Sequence, residues 1–423
     1  MNSVISLDRL RFLLNRFGER LWVRPLALCF LSIAAVFAAK FIDGSTFANQ
    51  VPSIAQDSVE TLLSLLASSM LVIATFSVGS MVSAYAAASS SATPRSFSLV
   101  VADDVSQNAL STFVGAFIFS VVALTAVKNA FYNEAGLFTL FVLTAFVFAV
   151  VILTFVRWVD NIARLGRVGS TIEKVESATE SAFIRRRNKP RLGGISVSDI
   201  TTQGEAVFSP TIGYVQHIDM VALQDWAKHI NAHVVVSALP GTLTTADQPL
   251  ASVHMSSPAL STVDCKGLIK SFQIGNDRTF EDDPRFGLVA LSEIAARALS
   301  PAVNDPGTAI KVIGSLVRLI SLINQTNPVK QKSQYDRVAV PEIECQDMFD
   351  DAFTAIARDG AGTIEVCVRL QKALTSLESL GHTGIQQAAQ YHKRLALKRA
   401  CNVLDIEEDL AAVKVAAGED KSM

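Results

Sequence analysis

Leu110–Val127 reads LSTFVGAFIFSVVALTAV and Leu137–Val156 reads LFTLFVLTAFVFAVVILTFV, and neither run holds a charged residue. A helix of about 20 residues, at about 1.5 Å rise per residue, crosses the roughly 30 Å hydrocarbon core of a bilayer. Two such runs, split by one short polar break, decide the fold class: an α-helical integral membrane protein. Two more spans lie upstream. Pro25–Phe41 is apolar up to Lys40, whose long side chain can snorkel to the interface. Leu62–Val82 (LLSLLASSMLVIATFSVGSMV) is charge-free but rich in Ser, Thr and Gly. No small-residue cleavage site precedes Asp43, so the first run reads as a retained span, not a signal peptide. Four transmembrane helices are expected.

Lys and Arg in the flanks set the orientation. Arg9, Arg11, Arg16, Arg20 and Arg24 precede the first span, whereas the later links carry only Arg95 and Lys128. After the fourth span come Arg157, Arg164, Arg167, Lys174, Arg185, Arg186, Arg187, Lys189 and Arg191. Both termini are therefore expected in the cytoplasm of a bacterial cell, with the chain multi-pass in the inner membrane. Trp22 and Trp158 fall at one interface, as an aromatic belt would place them.

The net charge of −2 gives no case for a nucleic-acid partner. The basic patches sit beside the membrane, where anionic lipid headgroups are the plainer partner. Cys29, Cys265, Cys345, Cys367 and Cys401 form no CxxC pair and read as reduced, mostly buried thiols.

The expected organisation is a cytoplasmic segment 1–24, a four-helix transmembrane domain 25–158 and a juxtamembrane basic helix 159–190 continuing the last span. A small β-rich module at 191–280, a helical domain at 281–405 and a flexible tail at 406–423 follow, giving the cytoplasmic region an α+β character. Gly213–Ile218 and Ala232–Ala238 read as strands, with a helical insertion at Ala222–Asn231. Asp283-Pro284 and Asp305-Pro306 each offer an N-cap followed by Pro at the first helical position. Helices are expected near 284–299, 306–324, 341–358, 363–380 and 384–403, with a polar linker near 325–340.

The stretch Phe272–Ala309 (FQIGNDRTFEDDPRFGLVALSEIAARALSPAVNDPGTA), with TPRSF at 93–97, TFVGAFIFS at 112–120 and GYVQHID at 213–219, resembles a bacterial family of predicted membrane proteins, domain of unknown function 2254. The resemblance implies a membrane protein over most of the chain and no agreed biochemical activity.

Two constellations are candidate sites. Asp277, Arg278, Glu281, Asp282, Asp283, Asn304 and Asp305 form a charged knot around the two helix starts. Its oxygens suit a divalent cation, or the helix start with Arg278 suits an anion. Read structurally, Asp283 and Asp305 cap helices and Arg278 pairs with a carboxylate. The intervening helix sets its ends about 24 Å apart, so one shared site requires the chain to fold back. The second is the stripe Ser68, Thr75, Gly79 and Ser83 in the second span. It reads as a polar path or as close packing through small residues. No span carries the buried Asp, Glu, His or Arg that ion-coupled transport usually needs.

GYVQHID and PGTLTTADQPLASV have the look of a carrier-type hairpin, but a modifiable Lys at its tip is not evident. His229 and His233 stand four apart without the carboxylate of an HExxH pair. The sequence has no GxxxxGK[ST], GxSxG or GxGxxG signature. No catalytic residue, metal or cofactor is assigned. The leading expectation is a non-enzymatic homo-oligomer, channel-like or transport-like, with a cytoplasmic sensing or assembly domain. The alternative is a membrane-tethered enzyme with its site at residues 277–305.

Overall fold

The structure is a computed structural model and describes residues 22–44, 52–91, 93–200, 204–255, 264–324 and 333–419. Most of the basic N-terminal segment, residues 1–21, lies outside the described residues, as does the end of the tail at 420–423. Two compact units divide between Thr171 and Ile172.

The first unit is helical: α1 (Val23–Phe41), α2 (Gln56–Ser91), the short α3 (Phe97–Val101), α4 (Asp104–Lys128) and α5 (Glu134–Arg164). Helix α4 is central and packs against α1, α2 and α5. Its buried face, Ala109, Phe113, Ala116, Phe119, Ala123 and Val127, recurs at three- and four-residue spacing, as one helix face must. Small residues bring the backbones close, and a Cβ on Gly115 would stand 3.2 Å from Leu28. Asp43 reaches across to the start of α5, accepting from the N–H groups of Asn133 and Gly136. A carboxylate there satisfies orphan donors and opposes the helix dipole. Outward, the unit shows large apolar side chains such as Phe30, Leu31, Leu65, Val72, Phe146 and Leu153. Trp158 is not an exposed belt residue. It is 1% exposed, edge-on to Phe76 and Phe113, because α5 turns that face toward α2 and α4.

The fourth apolar run does not continue unbroken to Arg187. Helix α5 stops at Arg164, Gly166 takes φ +87, and α6 (Val168–Asn188) begins anew. A left-handed glycine ends helices in this way.

The second unit mixes strands and helices. After α6 come β1 (Gly194–Ile195), β2 (Glu205–Phe208), β3 (Gly213–Ile218), α7 (Met220–His229), β4 (Ala232–Val236), β5 (Leu243–Thr244) and β6 (Pro249–Met255). Then follow α8 (Lys266–Ser271), β7 (Phe272–Gly275), α9 (Pro284–Ala298), α10 (Pro306–Asn324), β8 (Tyr335–Ala339), α11 (Cys345–Asp359), α12 (Ile364–Glu378), α13 (Thr383–Cys401) and α14 (Glu407–Ala417). The strands make a five-stranded sheet, β1-β8-β4-β6-β2, and a three-stranded one, β5-β3-β7.

Four sequence expectations are corrected here. Residues 335–339, read as linker, form β8, which lies parallel to both β1 and β4 and places Val338 in the core. The presumed carrier hairpin is split, since β5 pairs with β3 while β6 pairs with β2 and β4. Much of the presumed flexible tail is α14, which buries Val413 and Ala417 against α12 and α13. Of the cysteines only Cys367 is buried, and burial pushes its thiol up to about 11. Among the described residues five helices are long and apolar enough to cross a membrane, the fifth being Pro306–Ile323 in α10.

Candidate functional site

The charged knot is built where the loop 276–283 meets the start of α9. Asp283 caps α9, accepting from Phe286 N–H at 3.2 Å, and the Arg278 guanidinium grips the same carboxylate at 2.7 and 3.1 Å. The Asp283 side chain is only 2% exposed, and burial pushes its carboxyl up against the pull of Arg278. Arg278 also lies over the Phe286 ring, 5.3 Å from its centre. Gly241, at φ +95, passes so close that a Cβ there would collide with the Asp283 carboxylate. His217 Nδ1 lies 2.6 Å from Asp282, and Gln216 donates to the Asp277 carbonyl at 2.7 Å.

Two arginines of α6 complete the knot. Arg185 donates to the Glu281 carbonyl. Arg186 buries both terminal guanidinium nitrogens without a hydrogen bond. Burial lowers its pKa, while the charges of Asp282 and Asp283 work to raise it. The result is a junction of opposed charges that ties α6, the loop and α9 together. Thr179 of α6 lies so close to Gly287 of α9 that no side chain fits at 287.

Asn304 and Asp305 are not part of this junction. The Asp305 N–H donates to the carbonyl of Ala298 at the far end of α9, and its carboxylate caps α10 through Thr308 N–H at 3.1 Å. Asn304 takes φ 48 in the turn between the helices. Asp282 and Asp283 face a histidine and an arginine, and among the described residues no group of three His, Cys, Asp or Glu side chains stands ready for a metal. Arg186 and His217 were not among the residues expected here. The RRR triplet had looked like a lipid-facing charge run, and nothing local marks one of its members as buried.

In the membrane unit, Ser68, Thr75, Gly79 and Ser83 share the exposed face of α2. Its buried face is instead Leu63, Leu66, Met70, Ser77 and Met81. A Cβ on Gly79 would meet nothing within 4 Å. Within the protomer it is the bulkier residues on the opposite face that pack the helices together, so both the polar path and the close packing expected of the stripe are left to its exposed side. A further polar cluster, absent from the sequence reading, joins Asp103, which caps α4 through Ser106 N–H, to Asn161 of α5 at 2.7 Å.

With the geometry in place, comparison with known proteins adds the family. A family model described as "Predicted membrane protein (DUF2254)" matches residues 18–376. The chain belongs to that family. Uncharacterised proteins of Mycobacterium tuberculosis and Mycobacterium bovis are each 32% identical to it over 120 residues, which is 28% of this chain and 23% of theirs. The chain thus aligns with about a quarter of the length of the relatives it matches. No solved structure matches it.

Proposed function

We propose that this family member is a four-span, homo-oligomeric protein of a bacterial inner membrane, channel-like or transport-like, with both termini and a sensing or assembly unit in the cytoplasm. The spans are α1, α2, α4 and α5. Helix α10, though apolar, is assigned to the soluble unit: it buries Ala309, Val312, Leu316, Leu319 and Ile320 against α9 and α12. It also carries ion pairs from Lys311 to Glu173 and from Arg318 to Glu176. The uneven spread of Lys and Arg supports the orientation, and anionic headgroups are the partner of the exposed basic residues at the end of α5 and just after it, Arg164 and Arg167.

The observation that carries the oligomer is the outward polar face of α2. The space inside one protomer is filled by Phe113, Phe119, Leu63, Leu140 and Trp158. A polar route in such an assembly therefore runs between protomers, with α2 facing it around Ser68 and Thr75. Engineered cysteines test this in native membranes. Ser68→Cys should form a cross-linked dimer on mild oxidation, while Phe146→Cys, at an exposed apolar position of α5, should not. Cross-linking at Phe146 alone would overturn the assignment. For orientation, Lys128→Cys should react with an impermeant maleimide from outside intact cells, and Ser198→Cys only after lysis.

A further inference from the structure

The five-stranded sheet has two faces of different character. On one, Ala232, Val234 and Val236 of β4, Val253 of β6 and Val338 of β8 are buried in the core that they share with Leu223 and Ala227 of α7. Strand alternation sends their neighbours to the other face. There His233 stands directly opposite His254, and the pairing of Val234 with Val338 sets Arg337 beside His233 on the far strand. Strands β6, β4 and β8 are adjacent in the sheet, so His254, His233 and Arg337 form one row. At a strand spacing of about 4.8 Å the row is about 10 Å long. All three residues are half-buried.

His254 is held in place: Ser252 Oγ lies 3.0 Å from its Nε2, and Gly204 passes so close that a Cβ there would collide with the ring. The other two are uncommitted. The Arg337 guanidinium and the His233 ring make no hydrogen bond or ion pair among the described residues. Asp336, next to Arg337 in the chain, is taken by Gln224 of α7. Burial and the charges of Arg337 and His254 hold the His233 imidazole below its usual value, with Asp336 pulling the other way. Three internal segments of the second unit lie outside the described residues: TTQ at 201–203, SSPALSTV at 256–263 and QTNPVKQK at 325–332. None of them contains Asp or Glu.

Like charges on neighbouring strands oppose one another, and an anion seated among them relieves the repulsion. The flat fork of an arginine and the N–H groups of imidazoles match the oxygens of a phosphate. A divalent cation is disfavoured, because Arg337 stands in the same row. We propose that this face of the sheet binds a phosphoryl anion, held by Arg337 and His233 with His254 closing the row. The site names a ligand class for the second unit and does not depend on the membrane spans, since all three strands belong to that unit.

Isothermal titration calorimetry of the full chain in neutral detergent tests it, with inorganic phosphate, acetate at equal ionic strength and dihexanoyl-phosphatidylglycerol as probes. Phosphate should bind once per chain, and acetate should give no saturable heat. Arg337→Gln should weaken phosphate about tenfold and His233→Asn about fivefold. Neither variant should melt below the native chain without phosphate, because neither side chain has a partner to lose. Tighter binding of the short-chain lipid than of phosphate, weakened by the same substitutions, would support the site and identify its ligand as a membrane phosphodiester. Equal heats from acetate and phosphate would reduce the row to charge screening and overturn the proposal. So would phosphate binding that both substitutions leave unchanged.

Discussion

Asp283-Pro284 and Asp305-Pro306 spell the same helix start at opposite ends of α9, yet the two aspartates live in different surroundings. Asp305 is exposed and serves only the first turn of α10, through Thr308. Asp283 does the same for α9 and is also buried, gripped by Arg278 and overlain by the Gly241 backbone. A cap is a local device, worth about 1 kcal/mol. A buried carboxylate with arginine neighbours belongs to a network, where removing one member strands the others. The difference shows how little a shared dipeptide says about its energetic weight.

The largest expected effect comes from breaking the buried case. Asp283→Ala should destabilise the full chain by about 3–5 kcal/mol, because Arg278 and the buried end of Arg186 lose a countercharge. Urea unfolding of the second unit, followed through Trp226, measures it, and a loss no greater than that of Asp305→Ala would erase the distinction. Next, Gly241→Ala should cost about 1–3 kcal/mol, since it strains a left-handed position and drives a Cβ into Asp283. In an Asp283→Ala background part of that cost should vanish, and strict additivity would show that the two positions do not meet.

At the exposed cap the effects are smaller. Asp305→Ala should cost about 1 kcal/mol. The smallest expected effect is in its pH dependence. The bonds from Thr308 hold the Asp305 carboxyl below its usual range. Its contribution is thus fully present above the ordinary carboxylate value of about 3.9 and is lost as pH falls through the lower folded-state value. Stability curves of the native chain and Asp305→Ala should therefore converge in acid. Asp283, pushed up by burial, titrates with the opposite sign, so acid should not erase the Asp283→Ala difference in the same way.

Much of the fold was legible from local pattern. The apolar runs, both Asp-Pro helix starts, the strands at Gly213–Ile218 and Ala232–Val236 and most helices of the second unit carry their signals within a few residues. The candidate site was legible only in part. Arg278 and Asp283 are five residues apart, so their pairing could be read as a neighbouring ion pair. Arg186 and His217 join them from distant points in the chain, and no periodicity announces such a meeting.

The sequence by itself determined that this chain belongs in a membrane and where its helices start, because hydrocarbon length, charge and capping act over one turn or one span. Tertiary structure decided the rest. It drew Tyr335–Ala339 out of an apparent linker to fill a gap beside β4, since a sheet edge is satisfied by whatever strand reaches it. It turned the Ser, Thr and Gly face of α2 outward, because Leu63, Leu66 and Met70 bury more apolar surface against α4. And it buried one capping aspartate while leaving its twin in solvent, since burial is set by what packs on top of a residue, and that is not written beside it.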